Sequence, residues 1–125
     1  MIVLNLPLPP SVNSYWGFSG HRRFLTKEAN KFKRAVADYV LEYRVPKLAK
    51  ARLEFSVTLY FKDRRANDID NRVKALWDAL VNANVFDDDS QIDILIVNRG
   101  EIKKGGGCLV CIEIIDKIEE TTPIT

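Results

Sequence analysis

The chain has 125 residues, 46% of them hydrophobic and 29% charged, with a net charge of +2 at neutral pH. That length suits one domain with a real core, expected to hide roughly two-thirds of its unfolded surface, and the composition excludes wholesale disorder. No apolar run approaches the roughly 18–20 residues of a membrane span, residues 1–7 lack the features of a secretory signal, and two cysteines do not make a disulfide scaffold, so a cytoplasmic protein without a membrane partner is expected.

The charge is unevenly spread. Residues 1–65 carry 13 Lys and Arg against 5 Asp and Glu, whereas residues 66–125 carry 6 against 12. A basic half suggests a polyanionic partner. An acidic half would repel that partner unless its carboxylates hold cations. The alternative is two solvated faces of opposite sign.

Residues 2–6 alternate weakly and predict a short strand, ended by Pro7, Pro9 and Pro10, which lack or restrict the groups a ladder needs. Residues 11–23 show no clear period and read as a loop. Thr26 suits the N-cap of a helix over 27–43, with Ala29, Phe32, Val36, Tyr39, Val40 and Tyr43 spaced by three and four. Residues 51–61 are the clearest strand: Leu53, Phe55, Val57, Leu59 and Phe61 alternate with polar or amphipathic positions. A polar loop, 62–67, leads to a second helix over 71–84 with an apolar stripe of Ile69, Val73, Leu76, Trp77 and Leu80. Residues 86–91 form an acidic loop, 92–97 a strand, 101–107 a glycine-rich hairpin turn, and 109–115 a last strand. The tail, 117–125, is polar and expected to fray. The expectation is a single α+β domain over 1–116. Its two layers are a mixed sheet of about four strands and two helices, in the order β-α-β-α-β-β.

Seven carboxylates fall between positions 68 and 93: Asp68, Asp70, Asp78, Asp87, Asp88, Asp89 and Asp93. On an extended chain Asp68 and Asp70 can point the same way. Lys74 follows Asp70 at i+4 and Asp78 follows Lys74 at i+4, on one helix face. If the chain folds back, Asp88 or Asp89 can approach the first pair. Clustered carboxylates repel unless neutralised, and Mg²⁺, hard and oxygen-seeking, does this well. Such a site suits phosphodiester hydrolysis, with Lys74 stabilising charge on the phosphate or orienting water. Each piece also has a plainer reading: Asp70 as an N-cap, 87–89 as a solvated loop, Lys74 as a surface partner of its helical neighbours.

Other chemistries fit less well. A calcium loop beginning at Asp87 needs Gly at its sixth position and Glu at its twelfth, where Ile92 and Asn98 stand. Cys108 and Cys111, three apart on a strand, face opposite sides, and His21 is the only histidine, so zinc or redox chemistry is not expected. No nucleophile elbow accompanies His21. Glycines 105–107 precede a strand rather than a helix, so they form no phosphate loop.

Four stretches together resemble the RusA family of Holliday junction resolvases, over about residues 4–115. They are Leu6-Pro7-Leu8-Pro9-Pro10-Ser11-Val12-Asn13-Ser14-Tyr15-Trp16; Asp68-Ile69-Asp70-Asn71-Arg72-Val73-Lys74-Ala75 continuing to Trp77-Asp78-Ala79-Leu80; Asp88-Asp89-Ser90-Gln91-Ile92; and Lys103-Lys104-Gly105-Gly106. The resemblance implies a RusA-like fold and Mg²⁺-dependent nicking of four-way DNA junctions by a homodimer, in recombination and repair, with nucleoid association in the cytoplasm. It implies Asp68, Asp70 and Asp89 as metal ligands and Lys74 as the catalytic lysine. Asp88 is an alternative or additional ligand, because Asp87 lengthens the acidic run, and Mn²⁺ is expected to substitute for Mg²⁺. Two other readings remain: a protein that binds branched DNA without cutting it, and a Mg²⁺ nuclease for other branched or duplex DNA.

The basic residues fit a DNA partner. Arg22 and Arg23 lie in the N-terminal loop, with Lys27, Lys31, Lys33 and Arg34 following. Lys62, Arg64 and Arg65 immediately precede the acidic pair, and Lys103 and Lys104 border the glycines. Phosphate contacts supply most nonspecific affinity. Tyr15, Trp16 and Phe18 suit stacking on bases or packing in a core or dimer.

Overall fold

The computed structural model describes residues 1–115. In chain order its strands are β1 (Ile2–Leu6), β2 (Trp16–Ser19), β3 (Arg22–Leu25), β4 (Leu53–Tyr60), β5 (Ile92–Arg99) and β6 (Gly107–Ile114). Helix α1 (Lys27–Glu42) lies between β3 and β4, and α2 (Val73–Asn82) between β4 and β5. The tail expected at 117–125 lies outside the described residues.

Alternation in β4 builds the centre. Leu53, Phe55, Val57 and Leu59 are buried, while Glu54, Ser56, Thr58 and Tyr60 stay half-exposed on the other face. The main sheet has the order β1-β6-β4-β5, with β4 parallel to β5 and every other pair antiparallel. Both helices pack on the buried face: Phe32 and Val36 of α1 and Leu76, Ala79 and Leu80 of α2 join the strand residues in one core. The expected α+β class, four-stranded mixed sheet and two helices are all present.

Two expectations need correction. Residues 11–23 are not a featureless loop. They hold a 3₁₀ turn (Val12–Ser14) and most of a hairpin, β2–β3, closed at Gly20-His21 with Gly20 at φ +62°. Both hairpin faces are largely exposed, so no inside-outside alternation marks them in the sequence. The element order is therefore β-β-β-α-β-α-β-β. Residues 101–107, in turn, do not close a hairpin, because β5 and β6 do not pair and β4 lies between them. Burial explains the arrangement. Strand β6 contributes Cys108, Val110 and Ile112, all nearly inaccessible, and takes an inner position, whereas β5, with Asp93, Asn98 and Arg99 exposed, suits an edge. The connection crosses the end of β4, where the Gly100 and Lys103 N–H groups donate to the carbonyls of Leu59 and Phe61 at 2.8 and 2.9 Å.

The helix boundaries follow local chemistry. Thr26 caps α1, its hydroxyl oxygen accepting from the Ala29 N–H at 3.2 Å. Helix α2 stops short of the expected Asn84 because that residue turns left-handed (φ 64°), letting the Val85 N–H close on the Leu80 carbonyl at 3.0 Å. Tyr43, expected on the apolar stripe, is instead 62% exposed beyond the end of α1.

Candidate active site

The polar loop after β4 delivers Asp68 and Asp70 to the start of α2. The chain there is not extended: Ile69 has helical dihedrals and Asp70 opens a 3₁₀ turn, Asp70–Arg72. Asp70 is not a cap either, since neither this turn nor α2 has a side-chain cap bond. Both carboxylates are exposed, and neither has a hydrogen-bond or salt-bridge partner among the described residues. The adjacent Asn71 side-chain oxygen is buried and has no partner among the described residues.

In the first turn of α2, the Lys74 ammonium joins two carboxylates. It donates to Asp89 Oδ2 at 2.7 Å and lies 3.2 Å from Asp78 Oδ1. Asp78 is held from its other side, where the buried Tyr15 hydroxyl donates to Asp78 Oδ2 at 3.1 Å. The hydrogen bond that Lys74 donates to Asp89 is the main reason the lysine pKa rises above its usual value. Burial, then the Asp78 charge, pushes the Tyr15 hydroxyl up to about 12, so it remains a donor at neutral pH. A hollow of about 300 Å³ sits here, with Lys33 of α1 and Asp88 on its rim.

The acidic loop is ordered by its own side chains. Asp88 caps a 3₁₀ turn (Asp89–Gln91) and accepts from the Ser90 N–H at 3.0 Å and from the Ser90 hydroxyl. Those bonds hold the Asp88 carboxyl below the usual carboxylate range. Gln91 completes a capping box: its Oε1 accepts from the Asp87 and Asp88 N–H groups at 3.0 and 2.9 Å. Its Nε2 donates to the carbonyls of Ala49 and Ala51 at 2.9 and 2.7 Å. Asp88 and Asp89 thus have different surroundings, one engaged with Ser90 and the other with Lys74.

The structure brings Lys74 and Asp89 together, with Asp78 as a third member. Among the described residues no three acidic, histidine or cysteine side chains stand close enough to hold a metal ion. The donors nevertheless suit Mg²⁺ in kind. Asp68 and Asp70 are hard oxygen ligands with free lone pairs, and Mg²⁺ commonly uses only one or two carboxylates while keeping several waters.

The basic residues fall into separate groups. Arg22 and Arg23 stand on exposed β3, with the Arg23 guanidinium 3.8 Å from the Trp16 ring centroid. Lys27 opens α1 and is exposed. Lys62 and Arg64 are exposed, but Arg65 is engaged by Asp63 at 2.8 Å and offers less net charge than its sequence context suggests. Lys103 and Lys104 are exposed in the connection beside the end of β4. A groove of about 680 Å³ separates the proline-rich opening from the 62–67 loop, bordered by Lys31, Lys62, Arg65 and Arg72. Trp16 and Phe18 are 37% and 71% exposed, while Tyr15 is packed inside.

Sequence reasoning overlooked three supports. Tyr15 reaches Asp78 across 63 positions, which no local pattern reveals. Gln91 is the one buried polar side chain of the described residues, and only its position three residues after Asp88 hinted at a capping box. Arg72 ties the 3₁₀ turn to the proline-rich opening by donating to the Pro9 carbonyl at 2.7 Å.

Residues 7–115 match the family described as Endodeoxyribonuclease RusA. The chain is 35% identical over 104 residues to the crossover junction endodeoxyribonuclease of Enterobacteria phage HK97, covering 83% of this chain and 86% of that one. It is 32% identical over 107 residues to the enzyme of the same name from Enterobacteria phage 82, covering 82% and 86%. The Escherichia coli enzyme of that name is 31% identical over 107 residues, again covering 82% and 86%.

Proposed function

Because this chain belongs to the RusA family of endodeoxyribonucleases, we propose that it is a Mg²⁺-dependent endonuclease that resolves four-way DNA junctions by paired, symmetric nicks. The observation that carries this reading is the meeting of Lys74 with Asp89 at the start of the helix that follows Asp68 and Asp70, which are exposed and unpaired among the described residues. Exposed carboxylates left without partners would merely repel DNA if they held no cation. In this reading Asp68, Asp70 and Asp89 are the metal ligands, with Asp88 holding the loop through Ser90. A bound Mg²⁺ supplies a Lewis acid and an activated water. Lys74 contributes a fixed positive charge for the phosphoryl transition state.

The exposed basic residues Arg22, Arg23, Lys27, Lys62, Arg64, Lys103 and Lys104 would contact phosphates, with Arg65 joining them on release from Asp63. A two-fold dimer matches the two-fold character of a junction and places one site on each of two opposing strands. What supports a dimer is the open face of the sheet. Val3, Cys111, Ser56 and Ile96 form one row across all four strands, opposite the helices, and Val3 and Ile96 are 53% and 44% exposed. No helix of the described residues is long and apolar enough to cross a membrane.

The deciding experiment is cleavage of a labelled synthetic four-way junction with Mg²⁺ or Mn²⁺, beside a matched linear duplex and the Asp70→Asn protein. Paired nicks in the junction alone, lost in Asp70→Asn while junction binding persists, are expected. Equal cutting of the duplex would remove the junction specificity. Binding without any cutting would remove the nuclease reading.

A further inference from the structure

The Lys74 side chain is a flexible four-carbon stem ending in a point charge, and such a group stays at a site only where acceptors hold it. Two hold it here, Asp89 at 2.7 Å and Asp78 at 3.2 Å. They differ in kind. Asp89 belongs to the acidic loop and, in the function proposed above, turns toward a cation. An ammonium held by Asp89 alone would then lose its anchor and be repelled by the incoming positive charge. Asp78 has no such second task. It stands on the same helix as Lys74, one turn away, and its other oxygen is fixed by the Tyr15 hydroxyl at 3.1 Å.

Tyr15 is itself immobilised. It is 4% exposed and packs with Ala29 and Ala75 in a small core between the helices. Its carbonyl accepts from the Thr26 N–H at 3.1 Å, and the Thr26 hydroxyl donates to the Ser14 carbonyl at 2.5 Å, so the helix cap also anchors the segment that carries the tyrosine. The chain of contacts therefore runs from the start of α1 through Tyr15 and Asp78 to the ammonium. Among the described residues Asp78 alone engages the phenol, and a phenylalanine would fill the same space.

We infer that Tyr15 and Asp78 are positioning residues that hold Lys74 at the reaction site when Asp89 engages a cation. The inference rests on the nuclease reading for its consequence but not for its geometry. Tyr15 and Asp78 touch neither substrate nor cation in this scheme; they act through Lys74.

The test uses the Tyr15→Phe protein, which keeps the ring and removes only the hydroxyl. Three quantities are read: single-turnover cleavage of a four-way junction at saturating protein and Mg²⁺, junction affinity with Ca²⁺ in place of Mg²⁺, and the acetylation rate of the Lys74 amine. Acetylation is measured by mass spectrometry with an N-hydroxysuccinimide ester, in DNA-free protein at saturating Ca²⁺, where Asp89 is drawn to the cation and Asp78 is left to hold the lysine. Cleavage is expected to slow about tenfold and Lys74 acetylation to rise about threefold or more, consistent with losing one hydrogen bond to a charged group. Junction affinity is expected to stay within about twofold, since no phosphate contact is removed. Asp78→Asn should reproduce both changes and Asp78→Glu should restore part of the rate. An unchanged cleavage rate in Tyr15→Phe, a loss that falls on affinity instead, or an acetylation rate equal to wild type overturns the inference. If the wild-type protein itself fails to cut, the nuclease reading fails, and acetylation still decides whether Tyr15 and Asp78 hold the lysine.

Discussion

Lys74 and Asp89 are fifteen positions apart and belong to different elements, yet their charged groups lie 2.7 Å from one another. The contact joins α2 to the acidic loop and places a permanent positive charge beside a carboxylate. Because the bond to Asp89 raises the lysine pKa, the ammonium stays charged throughout the neutral and mildly alkaline range. The side chain is largely exposed, so the pair adds little to stability. Its value is chemical. Lys74→Ala is expected to slow junction cleavage by roughly 100-fold, the scale of losing one preorganised charge-stabilising donor. Junction affinity should fall by no more than a few-fold, the scale of one phosphate contact. Single-turnover rates beside equilibrium binding separate the two, and a larger effect on binding than on rate would make Lys74 a docking residue.

Gln91 has the opposite character, buried and structural. All four of its hydrogen bonds go to the backbone, joining the acidic loop to the carbonyls of Ala49 and Ala51 just before β4. Gln91→Leu keeps most of the volume but leaves those groups unpaired. The expected cost is about 3 kcal/mol, from buried polar groups left without partners. For a domain of this size that corresponds to a fall in Tm of about 10 °C or more. Calorimetry of the variant checks this, and a shift of only a degree or two would mean that water replaces the amide.

The contrast between these two residues also shows what a sequence can disclose. Strand β4 and helix α1 were legible because one face of each is buried, so period two and period 3.6 are written into Leu53–Tyr60 and Lys27–Glu42. The β2–β3 hairpin was not, since Trp16, Phe18 and Phe24 stay exposed and no face is reserved for the core. The strand order was hidden too. Glycines near position 105 announce a turn, but only the greater burial of β6 decides that the chain passes β4 before pairing. The acidic motif stood out by spacing, and Lys74 with it. Tyr15 did not, because its partner lies 63 positions away and its own neighbours suggest only an aromatic loop.

The titrating groups set a stability window with two edges. Asp88 is held low by Ser90, Asp63 by Arg65 and Asp93 by Arg52. A carboxyl depressed in the folded state contributes above its unfolded value, about 3.9, and that contribution is lost as pH falls through the folded value. On the alkaline side burial raises the Cys108 thiol from 9.0 to about 12, and burial, then Asp78, raises the Tyr15 phenol from 10.0 to about 12. Both groups bind protons more tightly when folded, so their contribution is present below the unfolded values and is lost as pH rises toward 12. Thermal melts against pH are expected to show a plateau through neutrality, a fall below about pH 4 and a second fall above about pH 9. In the monomeric chain, iodoacetamide at pH 8 should label the half-buried Cys111 well before Cys108. Equal labelling of both thiols in folded protein would contradict the burial of Cys108.

The open face of the sheet gives the last prediction, on assembly. Both helices lie on one side, and the row from Val3 to Ile96 leaves apolar side chains uncovered on the other. Exposed Val3 and Ile96 at its two ends, with only Cys111 and Ser56 between them, offer a surface that a second copy of the chain would cover. Ile96 is 44% exposed, so Ile96→Lys should leave the folded monomer within about 0.5 kcal/mol of wild type, the ordinary range for surface substitutions. In a two-fold interface the same substitution enters twice and sets two unpaired charges near the contact. Sedimentation equilibrium is expected to show a wild-type dimer and an Ile96→Lys monomer of unchanged Tm. The variant should lose the paired character of cutting, leaving junctions nicked on one strand. A variant that still sediments as a dimer would move the interface to another surface of the chain.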